Sequence, residues 1–201
     1  MARLLVVEVM LPLCRERPVC EDRTMSEHTE LIVALDIAER DQRRMAADVN
    51  DWLRASGWSV RSASANGPDA LGAHADSFRE STSTWRSAPS SAILCSVEDS
   101  MWDAVSDMEG PRCWQCDSEI ADEDISHLGD WMSGPEPVFT CGQCGAVALA
   151  GDMNVASSVV FGNPGITIEC FGYDGIALAR RLLTEVRGSF ANRWAYVHRQ
   201  R

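Results

Sequence analysis

Leu31-Ile-Val-Ala-Leu-Asp36, followed by the stretch from Glu39 to Ser56, decides the fold. The first is a short unbroken apolar run and reads as a strand. The second sets Met45, Val49, Trp52 and Leu53 on one stripe of an amphipathic helix that Gly57 ends. Working outward, Trp58 to Val60 begins a second strand. Ser62 to Ser91 is rich in Ser, Ala, Gly and Pro and reads as a long surface loop. Ala92 to Val97 is the next strand. Towards the C-terminus, Ala156 to Phe161 and Ile166 to Cys170 are β-rich runs. Gly162-Asn-Pro-Gly165 between them has the chemistry of a hairpin turn. Ile176, Leu178, Leu182, Leu183 and Val186 mark a helix, and Trp194 to His198 closes as a strand. A strand–helix opening and a helix–strand finish predict an α+β fold, with helices on one face of a mainly antiparallel sheet.

Between these halves lie Cys113-Trp-Gln-Cys116 and Cys141-Gly-Gln-Cys144, separated by 24 residues. Each C-x-x-C pair can present two thiolates from one turn, and two facing turns supply four sulfurs. That is the ligand set and spacing of a structural four-cysteine zinc site, with Cys113, Cys116, Cys141 and Cys144 as ligands. Gly145 follows the second pair and permits positive φ there. Iron of the rubredoxin type takes the same four sulfurs, and the two metals are not separable by sequence. Two thioredoxin-like redox pairs, or four unrelated thiols, complete the readings. A redox pair opens a helix after a strand, whereas Cys144 leads into Gly-Ala-Val-Ala-Leu-Ala-Gly, which reads as a strand. Inside the spacer, Asp122 is placed to cap a short helix carrying Glu123, Asp124, Ile125, Leu128 and Met132, stopped by Ser133-Gly134-Pro135. His127 on that helix is a spare ligand that four sulfurs make unnecessary. Val138 and Phe139 form a brief strand into Cys141.

Residues 111 to 151 resemble the zinc-ribbon group, on the spacing of the two knuckles and on the Cys-x-x-Cys-Gly of the second. The first knuckle departs from the usual pattern, with Trp114 where Pro is common and Asp117 where Gly is common. In layout the whole chain is similar to small bacterial proteins with a ribbon inside an α/β domain. The division expected is an extension at 1–24, one α+β domain from 25–110 with 152–201, and a ribbon insert at 111–151, set at one edge or end of the sheet.

Net charge is −12 over 201 residues. Residues 113 to 144 hold seven acids (Asp117, Glu119, Asp122, Glu123, Asp124, Asp130, Glu136) and no arginine. A zinc tetrathiolate adds about two negative charges, so this segment repels a phosphate backbone and suits a basic protein partner. Residues 145 to 201 reverse the balance, with Arg180, Arg181, Arg187, Arg193, Arg199 and Arg201 against four acids. A nucleic-acid regulator using that face is the alternative reading, and solvated helix and tail charges the plainer one. There is no lysine, which points to GC-rich coding and a bacterial source. Eight cysteines, four in metal spacing, fit a reducing cytoplasm. No apolar run reaches 18 residues, so no membrane span is expected.

Leu4 to Leu13 is interrupted by Glu8 and makes a poor signal peptide. Met25 is the expected start, which leaves Cys14 and Cys20 incidental; the alternative is a short strand at 3–9 that joins the sheet. No G-x-S-x-G, H-E-x-x-H or Walker loop is present, and His28, His74, His127 and His198 are scattered singly. Cys95 reads as a small buried hydrophobe. Asp99, Asp103 and Asp107 would share one face of a helix from Val97 to Met108, as a cation site or, more simply, a solvated face. The function expected is a non-enzymatic protein-interaction module, immunity-like or adaptor, by analogy with small acidic proteins that neutralise basic nucleases.

Overall fold

The structure is a computed structural model, and it describes residues 28–63, 67–79, 91–98, 101–104, 109–120, 128–171 and 173–200. The N-terminal segment with Met25, Cys14 and Cys20, and Asp122, Ile125 and His127 of the spacer, lie outside the described residues. In chain order the elements are β1 (His28–Ala34), α1 (Glu39–Ala55), β2 (Ser59–Val60), β3 (Asp69–Leu71), β4 (Ala92–Ser96), β5 (Met101–Asp103), β6 (Val138–Thr140), β7 (Val147–Leu149), β8 (Val159–Phe161), β9 (Gly165–Glu169), α2 (Gly175–Ser189) and β10 (Trp194–Gln200). Six strands form one sheet in the order β10-β1-β9-β4-β3-β2, and every ladder in it is antiparallel. Two further pairs, β5 with β8 and β6 with β7, stand as separate ribbons. The chain is thus α+β, as its element order predicts.

β1 sits between β10 and β9, with Glu30 opposite His198 and Ile168. Because side chains alternate across a strand, Ile32 and Ala34 face one way and Leu31 and Val33 the other. Ile32 and Ala34 join a core with Val49 and Leu53 of α1, Leu178, Leu182 and Val186 of α2, and Trp58. Leu31 and Val33 join a second core with Trp102, Ile120, Trp131, Phe139, Cys113 and Cys141, reached on the neighbouring strand by Ala195 and Val197. The helices therefore cover one face. The cysteine-bearing lobe covers the other, over β1 and the edge strand β10. It was expected at an edge or end of the sheet; instead it roofs the β10–β1 half of that face, leaving Leu94 of β4 exposed.

Polar side chains fix the helices in register. Asn50 of α1 donates to the Cys95 carbonyl (2.7 Å) and accepts from the Cys95 amide (3.0 Å). β3 pairs β4 only at Ile93 and Ala92, so Asn50 takes up backbone groups beyond the end of that ladder. Arg54 donates to the buried Asp69 at 2.7 Å, and Ser59 and the Ser62 amide complete that carboxylate. Burial works to raise the Asp69 pKa, but the Arg54 hydrogen bond and the other donors outweigh it and the carboxyl is held low. At the far end of α1, Trp58 donates its indole N–H to Glu185 of α2 at 2.7 Å. Asp174 caps α2 by accepting from the Ala177 amide at 3.0 Å.

Three expectations are corrected. The loop from Ser62 to Ser91 contains β3 and a 3-10 turn, Ala73–Phe78. The helix expected from Val97 to Met108 is absent over Met101–Asp103, which is a strand paired with β8. Trp102 is buried against Gly165 while Met101 is exposed, so Asp103 stands on a strand and not on a helix face; Asp99 and Asp107 lie outside the described residues. Gly162 to Gly165 makes no hairpin either: β8 pairs β5 whereas β9 joins the main sheet. Gly162 lies where a Cβ would strike the Ala34 carbonyl. Asn163 is tied to the Glu98 backbone through its amide N–H (2.9 Å to the carbonyl) and its oxygen (3.3 Å from the amide), which carries the chain from one sheet to the other.

On the helix side of β1, Glu30 is fully buried. It accepts from the Tyr196 hydroxyl at 2.7 Å and lies 3.0 Å from His198 Nδ1 through both oxygens. The Glu30 hydrogen bond raises the His198 pKa against the opposing effect of burial. A histidine pKa raised by folding stabilises fully below its unfolded value of about 6.5, and the contribution is lost as pH rises through the folded value. Unfolding in urea at pH 6 and pH 8 is expected to show wild type losing more stability over that interval than His198→Gln. Equal losses would place the charge coupling elsewhere.

Candidate metal centre

The two knuckles are built alike. In the first, the Asp117 amide donates to the Cys113 carbonyl at 2.9 Å and the Cys113 amide to the Ser118 carbonyl at 2.8 Å. In the second, the Gly145 amide donates to the Cys141 carbonyl and the Cys141 amide to the Ala146 carbonyl, both at 2.8 Å. In each, the residue after the second cysteine takes left-handed backbone, φ 56° at Asp117 and 73° at Gly145. Asp is among the few side chains that tolerate this region, so the departure from Gly at 117 leaves the turn intact. Asp117 Oδ1 is also 3.3 Å from Arg112 Nε and 3.5 Å from Asn154 Nδ2.

These matched turns bring together all four cysteines picked out by spacing. The sulfurs of Cys113, Cys116, Cys141 and Cys144 lie within 4.8 Å of one another. Cys113 to Cys144 and Cys116 to Cys141 are both 3.6 Å apart. A tetrahedral metal with sulfur bonds of about 2.3 Å needs sulfur separations of about 3.8 Å. The donor set therefore fits one four-coordinate metal ion. Cys113 and Cys141 are buried, whereas Cys116 and Cys144 face solvent.

Ser118 had no role in the sequence reading. Its hydroxyl is 3.0 Å from both the Cys116 and the Cys141 sulfurs. It is the first cause of the lowered Cys116 pKa, and with the amides of Cys144 and Gln143 it draws Cys141 down to about 6. At Cys144 the Ala146 amide pulls downward, but burial and the neighbouring thiols prevail and push that thiol up to about 12. The protein thus polarises part of the set towards thiolate, the form a metal binds. Cys95 stands apart, buried in the helix-side core with its pKa pushed up by burial.

The lobe is clamped to the sheet by charge as well as by apolar packing. Arg193, just before β10, makes a two-pronged contact with Glu136 (2.7 and 3.0 Å) and a further one with Asp152 at 3.0 Å. Glu136 also accepts from the Gly151 amide at 2.7 Å. Such a fork is among the stronger surface-adjacent ion pairs. Gly151 is confined: a Cβ there would run into the Leu35 side chain. Other arginines of the C-terminal segment are similarly engaged. Arg181 pairs with Glu185 at 2.8 Å, Arg187 donates to the Trp194 carbonyl, and Arg199 donates to the Asp103 carbonyl at 3.0 Å.

No protein-family model matches the chain, and no curated protein or solved structure does either. No described helix is long and apolar enough to cross a membrane.

The left-handed turn gives a direct test. Gly145→Val should lower the stability of the protein as purified by about 1–2 kcal/mol, the cost of a β-carbon at positive φ. Gly142→Ala, whose Cβ would meet nothing within 4 Å, should change it by only a few tenths. Urea denaturation of both variants beside wild type is the measurement.

Proposed function

We propose that the four cysteines hold one structural zinc ion and that the lobe they fold is the protein-interaction surface of a non-enzymatic adaptor or immunity-like protein with a basic partner. Four thiolates close the coordination sphere and leave no position for substrate, which favours a structural role for the ion.

The observation that carries the interaction reading is what the lobe exposes. Trp114 projects from the tip of the first knuckle at 59% exposure. Val138 and Val147 alternate with the inward Phe139 and Ala148, and so share the outer face of the β6–β7 ribbon. Large apolar side chains on an acidic surface are the composition of a binding site: an anchor for contact and charge for steering. The engagement of Arg181, Arg187, Arg193 and Arg199 within the protein gives the nucleic-acid reading less support.

Elemental analysis of protein purified without added metal should find about one zinc per chain and no visible colour. Iron with red absorbance would replace this reading by an electron carrier. The double substitution Cys113→Ser, Cys116→Ser should lower the melting temperature sharply or precipitate the protein, because the lobe core then loses its metal link. Unchanged melting would remove the structural role.

The partner reading is tested separately. A hexa-arginine peptide, followed by amide chemical shifts at low and high salt, should perturb the lobe, more weakly at high salt and more weakly in Trp114→Ala. Salt-sensitive shifts produced by a DNA duplex, centred on α2, would overturn it.

A further inference from the structure

Between the cysteine lobe and the β5–β8 ribbon lies a cleft of about 660 Å³ that the metal and the knuckles do not use. Its volume falls in the range of small-molecule sites, roughly 300–1,000 Å³. Leu128, Val159 and Phe161 give it apolar walls, and Met101 and Met132 stand at it 47% and 64% exposed. Methionine is flexible and polarisable, and suits a surface that adapts to an apolar guest.

Its polar groups are few and unequal. Asp103 is neutralised, since Arg199 Nη2 lies 3.5 Å from its Oδ1. Glu109 and Glu119 also line the cleft, are exposed, and make no ion pair among the described residues. The remaining group is Ser158, buried to 1% exposure, whose hydroxyl has no hydrogen-bond partner among the described residues. A buried hydroxyl without a partner is costly, and this one belongs to a residue lining the cleft. Its backbone is fully engaged, the carbonyl accepting from Ala104 at 3.1 Å and the amide donating to Val155 at 3.0 Å. The side chain is therefore held in place, with its hydroxyl unpaired among the described residues.

We infer that this cleft is a binding site for a small organic amine: an apolar body against Leu128, Val159 and Phe161, a cationic nitrogen attracted by Glu109 and Glu119, and a polar atom that engages Ser158. The apolar walls reject a strongly hydrated ion, and the two exposed carboxylates reject an anion. This site is separate from the exposed face of the lobe and does not depend on the partner proposed above.

The test uses the full chain as purified and three probes of equal length: octylammonium, octanol and octanoate. Titrations followed by amide and methyl chemical shifts should place octylammonium at Met101, Met132, Val159 and Phe161, binding about tenfold more tightly than octanol, with octanoate weakest. Glu109→Gln with Glu119→Gln, both exposed and safe for folding, should remove the preference for the amine and leave octanol binding in place. Gly129→Phe should block all three probes: Gly129 lines the cleft, and a Cβ there meets nothing within 4 Å. Equal affinity for the three probes, shifts centred elsewhere, or binding undiminished in Gly129→Phe would overturn the inference.

Discussion

A single strand has to be covered from both sides. Leu31, Ile32, Val33 and Ala34 of β1 are all at 0% exposure, and no lone helix layer can achieve that for a pleated strand. α1 and α2 cover Ile32 and Ala34. The cysteine lobe covers Leu31 and Val33, with Ala195 and Val197 beside them. The lobe is thus the second half of the hydrophobic core, and Cys113 and Cys141 are core residues as well as candidate ligands. A metal held by such a lobe would be coupled to the stability of the whole sheet, because the apolar area it secured would belong to both. The Arg193 fork to Glu136 fastens the same interface at its rim.

Much of this was legible in the chain because the signals were local. The 31–36 run, the Met45–Val49–Trp52–Leu53 stripe, the Leu178–Leu182–Val186 stripe and the closing Trp194 strand each carry their own periodicity. The clustering of the four cysteines was legible from spacing alone. The four sulfurs do come together, in two turns whose shared left-handed residue is announced by Gly145 and disguised by Asp117.

What escaped notice depended on partners distant in sequence. β3 is three residues long and is held by the bonds of Asp69 to Arg54 and Ser59, not by an apolar pattern, so a Ser- and Gly-rich stretch hid it. Met101–Asp103 was misread because acids four apart imitate a helix face, while the evidence for a strand, its pairing with Val159–Phe161, lies nearly sixty residues away. Gly162 to Gly165 has the composition of a turn, yet its glycines serve close packing against Ala34 and Trp102. Ser118, the clamp at Glu136 and the buried hydroxyl of Ser158 have no sequence signature at all. They are properties of three-dimensional neighbours.

The burial of the four cysteines divides the candidate centre into an inner and an outer half. Cys113 and Cys141 are rooted in the core, one from each knuckle, and Cys116 and Cys144 are open to water. A chelator, an oxidant or a competing thiol therefore meets the outer pair first, and each knuckle offers it one sulfur. Were a metal held here, its exchange would for that reason start at the outer pair, and release from the inner pair would draw on the packing of the hydrophobic core in which those two cysteines stand.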